Sequence, residues 1–463
     1  MINDLTTGNP LTLIIKFAIP LLLGNLFMQL YQVSDMLIVG HLISVEALAA
    51  IGASAPIYMV FLMIAFGFTG GLTVVTAQRF GAKDEIGVRT SVFHSLMAAI
   101  ILGVVMTLGL TLFLHPLFEV MNIPQNIYDD AYDFMFVLSL SSMMIILFNL
   151  LSGFMRALGD SKTPLYFLIF STLVNIILNF IFINNLKLGV VGSALGTLVA
   201  NIISVVVCFI YMWKKFPLLR LSKKYMYIQK DIVKEHLHIA VPMALQFSIL
   251  SFSIMVVQSV SNSFGSDIIA AMATAFRIEQ FATQPLLAIG LATATFTAQN
   301  WGANLLSRIR KGVKSAFIIS TLLSVFGFVL VRNIGGSMIS VFIENGNPLI
   351  IEVGKEYLVI STMFYFFLGM IFIFRNTIQG MGKPLIPLIS SVVELVARSF
   401  VAIYLAKTMG YKGVFYASPI SWCAAAILVM GSYLYYIHKF SKDGYRWKMG
   451  AVKQHLKENG PVD

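Results

Sequence analysis

Long apolar runs, separated by short clusters of charge, glycine and proline, recur from one end of the chain to the other. A run of about 18 or more apolar residues can cross the hydrocarbon core of a bilayer as a helix. Twelve such helices are predicted, near residues 11–39, 47–77, 90–115, 127–155, 164–184, 188–213, 236–264, 268–298, 312–334, 350–378, 384–407 and 413–438. The fold class is an all-α integral membrane protein.

The connections alternate in charge. Arg79, Lys83 and Arg89, then Arg156 and Lys162, then the stretch from Lys214 to Lys234, then Arg308, Arg310, Lys311 and Lys314, and finally the tail beyond Lys439 share one side. The other side holds little more than Lys187, Arg332, Lys355, Lys407 and Lys412. The positive-inside rule then places both termini in the cytoplasm, which an even number of spans permits.

The pattern repeats. Thr76-Ala77-Gln78-Arg79-Phe80-Gly81-Ala82 closes the second span and Thr297-Ala298-Gln299-Asn300-Trp301-Gly302-Ala303 closes the eighth. Pro20 is answered by Pro242, and Gly159 with Pro164 by Gly382 with Pro387. The expected domains are an N-lobe of six helices (1–213), a cytoplasmic linker (214–235), a C-lobe of six helices (236–440) and a cytoplasmic tail (441–463). An even number of spans per half makes the repeat parallel, and two pseudo-symmetric bundles of this kind flank a central cleft.

Composition agrees: of 463 residues, 58% are hydrophobic and 11% charged, and mean hydropathy is +0.85. That balance belongs to polytopic membrane proteins. The net charge of +11 is a matter of topology rather than of nucleic acid binding. The basic and aromatic linker from Trp213 to His236 suits a surface lying against anionic headgroups. Cys208 and Cys423 sit in separate apolar runs and suggest neither a disulfide nor a metal site. The first apolar run is too long for the core of a signal peptide and lacks a basic leader. No phosphate-binding loop occurs, Gly380-Met381-Gly382-Lys383-Pro384 lacking both hydroxyl and spacing, and H-E-x-x-H and G-x-S-x-G are absent. A secondary transporter, neither an enzyme nor an ATP-driven pump, is the expectation, with no cofactor.

The candidate chemistry lies in polar residues inside spans. Asp35 stands in PLLLGNLFMQLYQVSDMLIVG, from Pro20 to Gly40, with Tyr31 one turn earlier and Gln32 beside it. An ionised Asp at a helix centre costs about 2.5–3.5 kcal/mol on insertion scales, so such a residue points to an ion or proton path. Asn175 and Asn179 share a face one turn apart. Thr197, Asn149 and Ser152 are further candidates, although Gly189, Gly192 and Gly196 near Thr197 also fit close helix packing. In the second half Gln246, Gln258 and Glu279 are candidates for a solute or cation pocket. Arg277 flanks Glu279, and Glu394 with Arg398 reads as a neutralising i, i+4 pair.

In these residues the chain resembles the multidrug and toxic compound extrusion family, MATE. The shared features are the proline-then-aspartate first helix running into VSDMLIVGHL and ALAAIGASAP, the Gly-Ala ends of helices 2 and 8, RALGDSKTP after helix 4, and GVVGSALGT opening helix 6. The resemblance implies efflux of amphipathic or cationic small molecules through a V-shaped cleft, driven by inward proton or sodium movement. It makes Asp35 the coupling group, Tyr31, Asn175, Asn179 and Thr197 its companions, and Pro20 the hinge. The chain departs from one branch in having Asn179 where that branch has aspartate. It departs from the sodium-binding branch in having Leu250 and Leu368 where acids stand. Proton coupling is therefore the first expectation, with sodium held by Asp35 as the alternative. A lipid-linked oligosaccharide flippase of the wider superfamily is the other competitor. The expected setting is a bacterial cell membrane and a monomer among lipids, with no nucleic acid partner.

Overall fold

The computed structural model describes residues 3–342 and 347–442, and within them the side chains of residues 32–37, 41 and 45 lie outside the description. The helices are α1 (Pro10–Leu42), α2 (Val45–Gly81), α3 (Glu85–Val120), α4 (Gln125–Leu140), α5 (Ser142–Ala157), α6 (Lys162–Phe180), α7 (Gly189–Lys215) and α8 (Lys230–Ser261). They continue as α9 (Ser266–Gly302), α10 (Leu306–Ser340), α11 (Pro348–Met363), α12 (Tyr365–Gly380), α13 (Leu385–Met409), α14 (Tyr411–Phe415) and α15 (Ala417–Lys442). Among the described residues, ten helical stretches are long and apolar enough to cross a membrane. The number is twelve when α4 with α5, and α11 with α12, each count as one span.

Those two spans are bent, by 43° and 49°, at Ser141 and Phe364. Neither bend has a proline. At the first, the Ser141 amide and hydroxyl both donate to the Leu138 carbonyl, at 3.0 and 2.7 Å, tightening the turn. At the second, the Phe364 amide donates to the Ser361 carbonyl at 3.1 Å.

The repeat is visible in how helices end. After α2, Lys83 takes the left-handed conformation (φ 55°), and the Asp84 amide reaches back to the Arg79 carbonyl at 3.0 Å. After α9, Asn304 does the same (φ 60°), with the Leu305 amide on the Asn300 carbonyl at 2.8 Å. Gly159 (φ 84°) and Gly382 (φ 73°) close α5 and α12 in the same manner. Each turn satisfies carbonyls that the helix end leaves open. Starts are capped as well: Ser44 accepts from Ala47 N–H at 3.1 Å and Asp84 from Gly87 N–H at 3.1 Å.

The described chain divides into two compact units. One comprises Asn3 and residues 23–244; the other comprises residues 4–22, 245–342 and 347–442. The division falls within α1 and α8, two residues past Pro20 and two past Pro242, and both helices run on through their prolines. The units therefore differ from the expected halves: residues 4–22 go with the second and 214–244 with the first. In the second unit, Ile14, Phe17 and Ala18 join a core with Leu286, Trp422 and Tyr433. The Leu5 amide donates to Gln299 Oε1 at 2.9 Å, and Asn300 Nδ2 donates to the Leu5 carbonyl at 3.1 Å. In the first unit, α8 lies so close to α2 that a Cβ on Gly71 would sit 2.5 Å from Ala240 Cα. Small residues permit this approach.

The linker is shorter than the expected 214–235, because α8 already begins at Lys230. Asp231 in its first turn complements the helix dipole, and the Gln229 carbonyl accepts from Val233 N–H at 3.0 Å. The residues before it form two short 3-10 turns, Pro217–Leu219 and Lys223–Tyr225.

Candidate functional site

Because α1 is unbroken from Pro10 to Leu42, Tyr31 and Asp35 occupy successive turns of one helical face. Tyr31 is half-buried; the side chains of Gln32 and Asp35 lie outside the described residues.

Two candidates on α6 and one on α7 come together in the first unit. Asn179 Nδ2 donates to Asn175 Oδ1 at 3.1 Å, and Asn175 Nδ2 donates to Thr197 Oγ1 at 3.1 Å. Both asparagines are buried. Gly196 sets the approach of the helices, since a Cβ there would collide with the Asn179 side chain. The glycines and Thr197 therefore serve one arrangement: close packing brings the hydroxyl into reach of the amides. Directly after α6 the chain makes a π turn, Ile181–Asn185. On α5, Ser152 is buried with its hydroxyl unpartnered among the described residues, and Asn149 is half-buried; neither is hydrogen-bonded to the Asn–Asn–Thr chain.

The charge setting of the two units differs. No Lys or Arg occurs between Lys16 and Arg79, between Arg89 and Arg156, or between Lys162 and Lys214 except Lys187. The apolar stretches of the first unit thus hold the acid of α1 and no arginine or lysine. In the second unit, Glu394 on α13 is bracketed by Arg375 of α12 and Arg398 of its own helix, all three buried. Arg375 also donates to Ser390 Oγ at 2.9 Å and Arg398 to Ser253 Oγ at 2.6 Å. The i, i+4 pair is there, and the sequence reading missed Arg375, whose partner lies on the next helix. Buried charges of this kind persist when paired and hydrogen-bonded.

The other candidates in the second unit are dispersed. Tyr357 donates to Glu279 Oε2 at 2.7 Å, and Gln379 Nε2 donates to Gln246 Oε1 at 2.7 Å. Gln258 does not join them: it is exposed and donates to Asn262 Oδ1 at 2.9 Å, one turn on. Arg277 is exposed as well. Among the described residues, no group of three or more His, Cys, Asp or Glu is placed to hold a metal ion. Cys208 and Cys423 are free thiols.

Polar side chains that the sequence reading passed over form a second network in the first unit. Arg79, fully buried, donates to Glu235 at 2.5 Å and lies 3.8 Å from Asp84. His236 Nε2 and Ser91 Oγ are 2.8 Å apart, and Ser91 Oγ meets Thr76 Oγ1 at 2.8 Å. His94 accepts at Nε2 from the Gln229 amide at 3.0 Å and donates from Nδ1 to the Thr90 carbonyl at 2.8 Å.

The MatE family model matches the chain twice, over residues 20–181 and again over 242–404. The chain belongs to the MatE family. The two matches begin at the two span prolines and cover the two halves of the repeat. Among similar proteins, this MatE chain is 26% identical over 428 residues to the probable multidrug resistance protein YoeA of Bacillus subtilis, covering 90% of this chain and 92% of that one. It is 24% identical over 416 residues to the multidrug export protein MepA of Staphylococcus haemolyticus, covering 89% and 91%. A crystal structure of MATE in the bent conformation matches with a TM-score of 0.89 at 24% identity, over 95% of this chain and 98% of that one. The fold is thus that of a MatE membrane transporter.

Proposed function

We propose that this MatE protein is a multidrug efflux transporter that exchanges protons for amphipathic or cationic compounds, with Asp35 as the group that binds the proton. The observation that carries the reading is the contrast between its membrane acids. Glu394 has a fixed countercharge on either side, from Arg375 and Arg398. Asp35 belongs to a unit whose apolar stretches, read along the sequence, supply no arginine or lysine as a fixed countercharge. A carboxylate without a fixed countercharge in a low dielectric is the kind of group that gains and loses a proton.

Supporting this, Asn175, Asn179 and Thr197 form a buried neutral hydrogen-bond chain in the same unit. Such a chain can reorient when a neighbouring charge is removed, whereas an ion pair cannot. Protonation of Asp35 from outside, loss of its hold on polar neighbours and rearrangement of α1 about Pro20 to release drug make up the proposed cycle. Tyr31, Gln32, Asn149, Ser152, Gln246 and Glu279 are proposed as further pocket residues. The same reading puts the Lys214–Lys234 side and both termini in the cytoplasm. Similarity to YoeA and MepA, described as multidrug resistance and export proteins, favours drug over lipid-linked sugar. The buried arginines argue the same way, since Arg375 and Arg398 are already taken by Glu394.

The test is transport by the purified protein in vesicles under a pH gradient or a sodium gradient imposed separately. Drug movement is expected with the pH gradient alone, and Asp35→Asn should abolish it while leaving insertion intact. Transport driven by sodium alone, or full activity of Asp35→Asn, would overturn the proposal.

A further inference from the structure

One recess in the first unit plays no part in this cycle. It is a groove of ≈560 Å3 on the outer surface between α3, α5 and α7, and every side chain lining it is apolar, among them Phe93, Ile101, Leu147, Val206 and Phe209. One end is closed by Leu221 and Met226 of the linker. From Phe93 to Ile101, α3 runs about 12 Å along it. Nothing polar is present to orient a drug, but a hydrocarbon chain needs no orienting group.

The linker at its mouth is basic and fixed in place. Lys223 and Lys224 lie between the two residues that close the groove, in the 3-10 turn Lys223–Tyr225, and both are exposed. A second recess of ≈490 Å3 follows at once, lined by Ile228, Lys230, Val233, Lys234, Leu237 and His238. Arg89 Nη1 donates to the Arg220 carbonyl at 3.2 Å, and the Gln229 amide donates to His94 Nε2 at 3.0 Å. The Arg220 guanidinium donates to the carbonyls of Trp213 and Lys214 at the end of α7. The stretch carrying the lysines is therefore tied to α3 and α7 on both sides. Its two acids do not neutralise it: Glu235 is spent on Arg79, and Asp231 stands alone against Lys223, Lys224, Lys230 and Lys234.

We infer that this is a binding site for one anionic phospholipid, with an acyl chain in the α3–α5–α7 groove and the phosphate at Lys223 and Lys224. The occupant follows from the pairing of an all-apolar slot with an anchored cationic rim at the side of the membrane where anionic headgroups are recruited by basic clusters. The side is that of the topology proposed above; binding itself requires neither that topology nor transport.

The experiment is native mass spectrometry of the full-length protein in detergent, after mixing with equal amounts of phosphatidylglycerol and phosphatidylcholine of the same chain length. The wild type should retain one phosphatidylglycerol at least five times more often than one phosphatidylcholine. Lys223→Gln with Lys224→Gln should bring that ratio near one. Val206→Trp, at a half-exposed groove position, should reduce retention of both lipids by a similar factor. Thermal unfolding of each variant, close to wild type, establishes that the fold is intact. Equal retention of the two lipids by the wild type, an unchanged preference in the double variant, or undiminished retention of both lipids with the groove filled would overturn the assignment. Because no gradient is present, failure here leaves proton coupling untouched, and failure of proton coupling leaves this site untouched.

Discussion

Asn179 donates to Asn175 one turn back on α6 at 3.1 Å, and the space for that bond exists because residue 196, facing it from α7, has no side chain. Gly196→Ala would push a methyl into the Asn179 amide. The chain through Asn175 to Thr197 would then have to shift or break. A loss of about 1–3 kcal/mol is expected for overpacking of this kind. It should appear as a lowered melting temperature in detergent, together with a fall in dye efflux from cells. Asn175→Ala should behave alike, since it removes a hydrogen bond from each neighbour of the amide.

The buried charges of the second unit predict an asymmetry. Glu394→Gln leaves two guanidinium groups without a countercharge and should destabilise by about 3–5 kcal/mol. Arg398→Met leaves Glu394 still paired with Arg375 and should cost clearly less. Thermal melts of the two variants side by side check the order, and a reversed order would show that Arg398 carries the cluster.

Arg79 presents the same logic at an end of α2. Its removal strands Asp84, which is buried, whereas Glu235→Gln leaves Arg79 beside Asp84 and alters a partly exposed side chain. Arg79→Met is expected to prevent recovery of folded protein or to lower its melting temperature well below that of Glu235→Gln. Size-exclusion profiles after solubilisation separate the two outcomes.

Asp160, in the turn between α5 and α6, gives a prediction in pH. Burial works to raise its carboxyl, yet hydrogen bonds to the charged form, those from the amide and hydroxyl of Thr163 among them, hold it below its ordinary 3.8. A depressed folded value means that the stabilisation is fully present above the unfolded value. It is lost as pH falls through the folded value. Wild-type stability should therefore drop on acidification below about pH 4, and Asp160→Asn should flatten that part of the curve while starting from a lower plateau at neutral pH. Unfolding rates measured between pH 3 and 7 check both features.

The spans were legible because a bilayer demands one property over a long stretch; their ends were less so, since helices run on past the apolar core, as α10 does over Leu306–Ser340 where 312–334 is expected. Asn175 and Asn179 were legible as a pair from their spacing of four. The bends at Ser141 and Phe364 were not, since no proline announces them and the cause at the first is a serine folding back on its own helix. Arg375 escaped for a different reason: its carboxylate lies 19 positions away, on the next helix, where no local rule reaches. His94 with Gln229 and Arg79 with Glu235 are longer-range cases of the same kind, and residues 214–244 went with the first unit for want of any local sign that Gly67 and Gly71 were reserved for them.

Residues 4–22 leave the ribosome long before Trp422 and Tyr433, with which Ile14 and Phe17 share a core in the second unit. No order of synthesis lets that core close early. Residues 4–22 have to wait, only partly buried, until α15 has been made, so closure of this core is expected to be a late, all-at-once event rather than a stepwise one.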